Sequence, residues 1–170
     1  TFGDPPFDLD PVMQTLLQIA DSSITYRSRY FTTVRPEYVL DVAHNPAGAW
    51  ALRSTLSAAY PERPFTMVFG VLRDKAIADV LGELVPAAQE FLFTAPAGDR
   101  AAKPEDLVLL AKQLGVQHCS AFATPSTALD EIQRRAELRD TTDSVYVFTG
   151  SLFLVGEARE LFLNRIFVKW

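Results

Sequence analysis

From Glu37 to Leu163 the chain alternates short apolar runs with amphipathic stretches five times, and the links between them are short. Tyr38–Val42, Phe65–Gly70, Phe91–Thr94 and Ser144–Thr149 read as strands, being largely apolar runs of strand length rich in β-branched and aromatic residues, and the more polar Val116–Phe122 is a candidate short strand. Pro46–Tyr60, Asp74–Leu84, Pro104–Leu114, Thr124–Leu138 and Leu152–Leu163 read as the helices between and after them. Punctuation supports the boundaries: Asn45 caps the first helix with Pro46 at its first position, Gly115 closes the third, and Thr124-Pro125 opens the fourth. Strands and helices in strict alternation predict a mostly parallel sheet covered by helices on both faces. Ile166–Lys169 is a candidate sixth strand. Upstream, residues 1–9 with Pro5 and Pro6 read as an arm or linker, Val12–Ala20 as a helix, and Tyr26–Val34 as a strand or extended connector.

A chain of 170 residues is one full domain plus a short flanking piece. With 48% hydrophobic and 22% charged residues it has an ordinary soluble composition and needs no covalent staple. A formal net charge of -5 argues against a nucleic-acid footprint; Arg27, Arg29 and Arg35 lie near Asp21, Glu37 and Asp41. Cys119 is the sole cysteine, so no internal disulfide can form, which fits a reducing, cytoplasmic setting. His118-Cys119 is no metal site by itself, because zinc takes about four ligands and the chain has only two histidines. No apolar run approaches the roughly 18 residues that mark a membrane span, and the first residues lack a signal-peptide pattern. A chain that opens on Thr1 rather than Met is expected to be a fragment or a processed product.

In open α/β sheets, ligands gather beyond the carboxyl ends of the strands. The turns expected there are Asp41–Asn45, Gly70–Lys75, Thr94–Arg100 and Thr149-Gly150-Ser151, and they carry Asp41, His44, Asp74, Lys75, Arg100 and Ser151. The first is the richest: a carboxylate, an imidazole and then Asn-Pro opening a helix whose free N–H groups suit an anion. The plainer alternative is that Asp41 and Asn45 only cap the turn and the helix. Asp74-Lys75 reads as a helix-start pair, and Arg100 as a bridge to a loop carboxylate. No Gly-x-Gly-x-x-Gly follows the first strand and no Gly-Lys-Thr/Ser loop is present. Thr149 and Phe153 stand where a nucleophile elbow needs glycine, so Ser151 is a helix N-cap or a hydrogen-bond donor to a ligand rather than a nucleophile.

Three motifs in register, Leu40-Asp41-Val42-Ala43-His44-Asn45-Pro46, Val68-Phe69-Gly70-Val71-Leu72-Arg73-Asp74-Lys75 and Val147-Phe148-Thr149-Gly150-Ser151-Leu152, resemble the folylpolyglutamate synthase / dihydrofolate synthase family of the Mur ligase superfamily. The likeness covers roughly residues 24 to 165 and is to the family's carboxy-terminal domain. It implies a Rossmann-like three-layer α/β sandwich with a mostly parallel six-stranded sheet. Residues 1–25 would be the connector and tail of a central domain, and residues 26–170 the Mur ligase-like carboxy-terminal domain.

The resemblance also implies chemistry. In the family, ATP phosphorylates a folate or dihydropteroate carboxylate to an acyl phosphate, and the amine of L-glutamate then attacks it. The P-loop and magnesium ligands belong to the central domain, so this chain alone is expected to be inactive and to work against its own central P-loop domain. By resemblance, Asp41 approaches ATP at the ribose or a bridging cation, His44 meets nucleotide or incoming glutamate, Arg29 neutralises phosphate charge, and Ser151 contacts glutamate. Arg100-Ala101 resembles the family's Arg-Ala after the third strand. Ser28 stands where glycine is usual before the connector arginine and Phe31 where Glu or Gln is frequent, which leaves Arg27 as the runner-up to Arg29. The expected partners are ATP with magnesium, L-glutamate, and folate or dihydropteroate, with no nucleic acid, no membrane, no metal ligand in this chain, and a monomeric state. Two alternatives remain: a stand-alone binding module of the same fold without turnover, and another Mur-type amino-acid ligase domain.

Overall fold

The computed structural model describes residues 23–27, 37–138 and 144–165. Five strands follow the expected rhythm: β2 (Glu37–Asp41), β3 (Phe65–Phe69), β4 (Ala88–Thr94), β5 (Cys119–Phe122) and β6 (Val145–Thr149). They alternate with α1 (Pro46–Ala59), α2 (Ile77–Leu84), α3 (Pro104–Gln113), α4 (Pro125–Glu137) and α5 (Leu152–Arg165). A further strand, β1 (Ser23–Arg27), lies ahead of them. Across the sheet the order is β1-β2-β6-β3-β4-β5, with β2, β6, β3, β4 and β5 parallel and β1 antiparallel at the edge. The parallel sheet therefore has five strands. The candidate strand Ile166–Lys169, the helix Val12–Ala20 and most of Tyr26–Val34 lie outside the described residues.

The central strands are buried along their whole length, as two-sided coverage requires. One face of the sheet, with Val39, Met67, Phe69, Phe91, Phe93, Val145 and Val147, packs on α1, α2 and α3 through Leu52, Leu56, Leu81, Leu84 and Leu107. The opposite face, with Tyr38, Leu40, Val68, Leu92, Tyr146 and Phe148, packs on α4 and α5 through Leu129, Ile132, Val155 and Phe162. The starts of α1 and α4 are capped by side chains. The Asn45 side chain accepts the Gly48 N–H with Pro46 next in line. The Thr124 hydroxyl accepts the Thr127 N–H, and Thr127 answers the Thr124 backbone N–H.

The insertion of β6 between β2 and β3 decides where a site can form. The helices that follow β2 and β3 lie on one face of the sheet, whereas α5, which follows β6, lies on the other. The chain thus leaves neighbouring strand ends in opposite directions on both sides of β6. Such a switch opens a crevice at the carboxyl edge of the sheet.

Candidate functional site at the strand-end switch

Asp41 is the last residue of β2, at the expected edge, but it is only 6% exposed rather than open to solvent. The reason is local: its Oδ1 folds back to accept the Ala43 N–H at 2.8 Å, drawing the carboxylate under its own turn. Burial outweighs that hydrogen bond and pushes the carboxyl up to about 6. No other partner of this carboxylate stands among the described residues.

His44 is exposed, and its Nδ1 lies 2.9 Å from the Val42 carbonyl. A carbonyl only accepts, so Nδ1 carries the proton and Nε2 is the ring atom left for a ligand. Ser151 is 4% exposed, and its Oγ accepts the Phe153 N–H at 3.1 Å. It therefore caps α5, as the plainer reading of that residue anticipates, while its hydroxyl proton stays available to an acceptor. Arg29 lies outside the described residues. Arg100 bridges Asp74 at 3.2 Å with both side chains half or more exposed, a surface pair. Asp74 and Lys75 precede α2, whose cap position is Ala76 without a side-chain bond.

Three strand ends meet here through contacts that spacing in the sequence does not reveal. The Thr149 hydroxyl, fully buried, donates to the Ala43 carbonyl at 3.4 Å, joining the turn after β6 to the turn before His44. The Thr149 carbonyl accepts the Gly70 N–H at 3.2 Å. Gly150, at φ +108°, lies so close to β3 that a Cβ would meet the Gly70 carbonyl and the Phe69 ring at 2.8 Å. Farther along the edge, the segments after β3 and β4 pair with each other. Leu72 and Ala101 form an antiparallel bridge, Ala102 N–H reaches Val71 O at 2.8 Å, and Arg73 donates to the Asp99 carbonyl. Gly70 and Gly150, at the ends of β3 and β6, leave room for this close approach.

At the opposite edge of the sheet, a polar cavity of about 510 Å³ holds Arg134, Arg135, Glu131 and Glu90. Its cations are already paired: Arg135 with Glu90 at 2.7 Å, and both arginines with Glu131 at 2.8 Å. The strand-end switch instead brings together a buried acid, an exposed imidazole and a buried hydroxyl. Among the described residues, no group of three or more His, Cys, Asp or Glu is placed to hold a metal ion, and no helix is long and apolar enough to cross a membrane.

The chain is similar to known proteins over most of the described domain. The family described as "Mur ligase, glutamate ligase domain" matches residues 26–152, a span that contains Arg29, Asp41, His44 and Ser151. A dihydrofolate synthase/folylpolyglutamate synthase of Mycobacterium tuberculosis is 31% identical over 137 residues, 75% of this chain and 28% of that protein. One from Buchnera aphidicola is 25% identical over 156 residues, 91% of this chain and 35% of that protein. The crystal structure of Mycobacterium tuberculosis folylpolyglutamate synthase complexed with ADP and AMPPCP superposes with a TM-score of 0.66 at 32% identity, covering 75% of this chain and 30% of that one. The chain thus spans about a third of the length of these two relatives.

Proposed function

The chain belongs to the Mur ligase glutamate ligase domain family, with the carboxy-terminal domain of folylpolyglutamate synthase-like ligases as its counterpart, and from that premise we propose that it serves an ATP-dependent amide ligase adding L-glutamate to a folate or dihydropteroate carboxylate. ATP would give its γ-phosphoryl group to the carboxylate, forming an acyl phosphate and ADP. The glutamate amine would attack the acyl carbon, forming the amide, and phosphate would leave. In this reading residues 26–170 form the domain that closes over the nucleotide and residues 1–25 the connector, whose end from Ser23 already pairs with β2 as the start of β1; the phosphate-cradling loop belongs to another part of the polypeptide.

One observation carries the proposal: the turns after β2 and β6, which hold Asp41, His44 and Ser151, meet at a topological switch inside the matched span. The donor set suits the two substrates. The Asp41 carboxylate, with Oδ1 on the Ala43 N–H, accepts a ribose hydroxyl or faces a cation. His44 offers Nε2, and Ser151 offers its hydroxyl proton to a glutamate carboxylate. Arg29 supplies the guanidinium for phosphate charge. Magnesium accompanies ATP in the proposed reaction, and the described residues form no group of three or more His, Cys, Asp or Glu that could hold it. Positioning and charge neutralisation do most of the work in such phosphoryl transfer.

The test is kinetic, in the full-length polypeptide. Asp41→Ala and Arg29→Ala are expected to impair ATP-dependent turnover without unfolding the protein. Ser151→Ala should raise the apparent KM for glutamate more than that for ATP, because lost ground-state binding appears in KM. An ATP-only defect would remove Ser151 from the amino-acid site, and full activity of Asp41→Ala would remove Asp41 from the nucleotide site.

A further inference from the structure

We infer that Thr149 is a positioning residue that fixes the His44 turn against the Ser151 turn. The inference rests on the proposed roles of His44 and Ser151 and adds the device that registers them. Thr149 ends β6 and is wholly buried, so its hydroxyl has no water to bond and finds the Ala43 carbonyl instead. The Ala43 N–H is held at 2.8 Å by the Asp41 carboxylate. Both polar groups of Ala43 are therefore fixed by side chains, one from β2 and one from β6, and the next residue is His44. On its other side Thr149 accepts the Gly70 N–H through its main chain, and two residues on stands Ser151. One threonine thus ties the turn after β2, the turn after β3 and the start of α5.

At 3.4 Å the hydroxyl bond is longer than the usual hydroxyl donor distance of about 2.5–3.0 Å, so its contribution to overall stability is small beside that of the packed core. It is the buried partner of the Ala43 carbonyl, and it biases the Ala43–His44 peptide toward the orientation that keeps the His44 imidazole at the edge. Valine has nearly the shape of threonine but no donor, and it would free this peptide.

The experiment is a double-mutant cycle in the full-length polypeptide, with glutamate ligation as the readout. Thr149→Val is expected to lower kcat/KM for glutamate by about tenfold or more, since a misplacement near 1 Å can cost on the order of 100-fold. Thr149→Ser, which keeps the hydroxyl, should restore activity to within about twofold of the parent. In the His44→Ala background, Thr149→Val should add almost no further loss, because the group it positions is gone. Losses that multiply in the double variant, or a Thr149→Ser variant as impaired as Thr149→Val, would overturn the inference. If Thr149→Val lowers the thermal midpoint, the cycle with His44→Ala still decides, because a general loss of fold multiplies with any second lesion. A fully active His44→Ala variant is a different result: it would remove His44 from the proposed site, and this inference with it.

Discussion

Asp41 weakens the fold at neutral pH, and the sign of its shift says how. Its carboxyl is raised by burial from the ordinary 3.8 to about 6, so the folded chain binds the proton more tightly than the unfolded one. The stability linked to that proton is complete below the ordinary value and is lost as pH rises through about 6. Above that, the buried charge costs on the order of 1–3 kcal/mol. Asp41→Asn, whose side-chain oxygen still accepts the Ala43 N–H, should therefore melt higher than the parent at pH 7.5, with the gap closing as pH falls from about 6.5 to about 4. Thermal midpoints of both proteins across this range check it; a constant gap would mean that the carboxylate is not the cause. Two glycines make a second contrast. Gly150→Ala puts a Cβ 2.8 Å from the Gly70 carbonyl at φ +108° and should destabilise by about 2–4 kcal/mol. Gly82, inside α2 with open space around it, should accept alanine with a gain of up to about 1 kcal/mol. Urea midpoints of the two variants should move in opposite directions.

Between elements, the clamps sit at the strand-start edge, away from the candidate site. Arg135 of α4 grips Glu90 of β4 with two bonds at 2.7 and 3.1 Å, each side chain about a quarter exposed. Glu37 of β2 accepts the Tyr60 hydroxyl at 2.7 Å and the Arg63 guanidinium at 2.8 Å, fixing the exit of α1. Arg135→Ala leaves Glu90 half-buried without its bidentate partner and should cost about 1–3 kcal/mol. The exposed neighbour Arg134, also on Glu131, should cost no more than about 1 kcal/mol on removal. Denaturant melts of the two alanine variants give the comparison, and equal losses would contradict it. Element identity was legible because two-sided burial writes β3 and β6 as continuous apolar runs. Boundaries shifted for one local and one long-range reason. β5 starts at Cys119 rather than Val116, since the Val116 N–H is still held by the Ala111 carbonyl at the end of α3. α2 starts at Ile77 rather than Asp74, because Val71 to Arg73 pair with Arg100 to Ala102 instead of coiling. Local pattern carries no record of such long-range pairing.

At the scale of the molecule, the strand order was the part that sequence could not supply. His44 and Ser151 are more than a hundred positions apart, and only the placement of β6 beside β2 brings their turns together. The motifs exposed the polar residues of that edge; they did not expose the burial of Asp41 or the tie from Thr149 to Ala43, which depend on how the turns close over one another. The assembled edge offers an acid, an imidazole and a hydroxyl. The chain's sequence holds no Gly-Lys-Thr/Ser loop with which to cradle phosphates, and the described residues bring no metal cluster. Half of a ligase site can orient substrates yet leave the charge of a transferring phosphoryl group without stabilisation, and in such reactions that stabilisation is most of the catalysis. The 170-residue chain purified by itself is therefore expected to release no phosphate above background from ATP in the presence of magnesium, dihydropteroate or folate, and L-glutamate. Steady release at a rate comparable to that of a full-length ligase would show that this chain carries its own phosphoryl-transfer machinery, and the division of labour proposed for it would have to be abandoned.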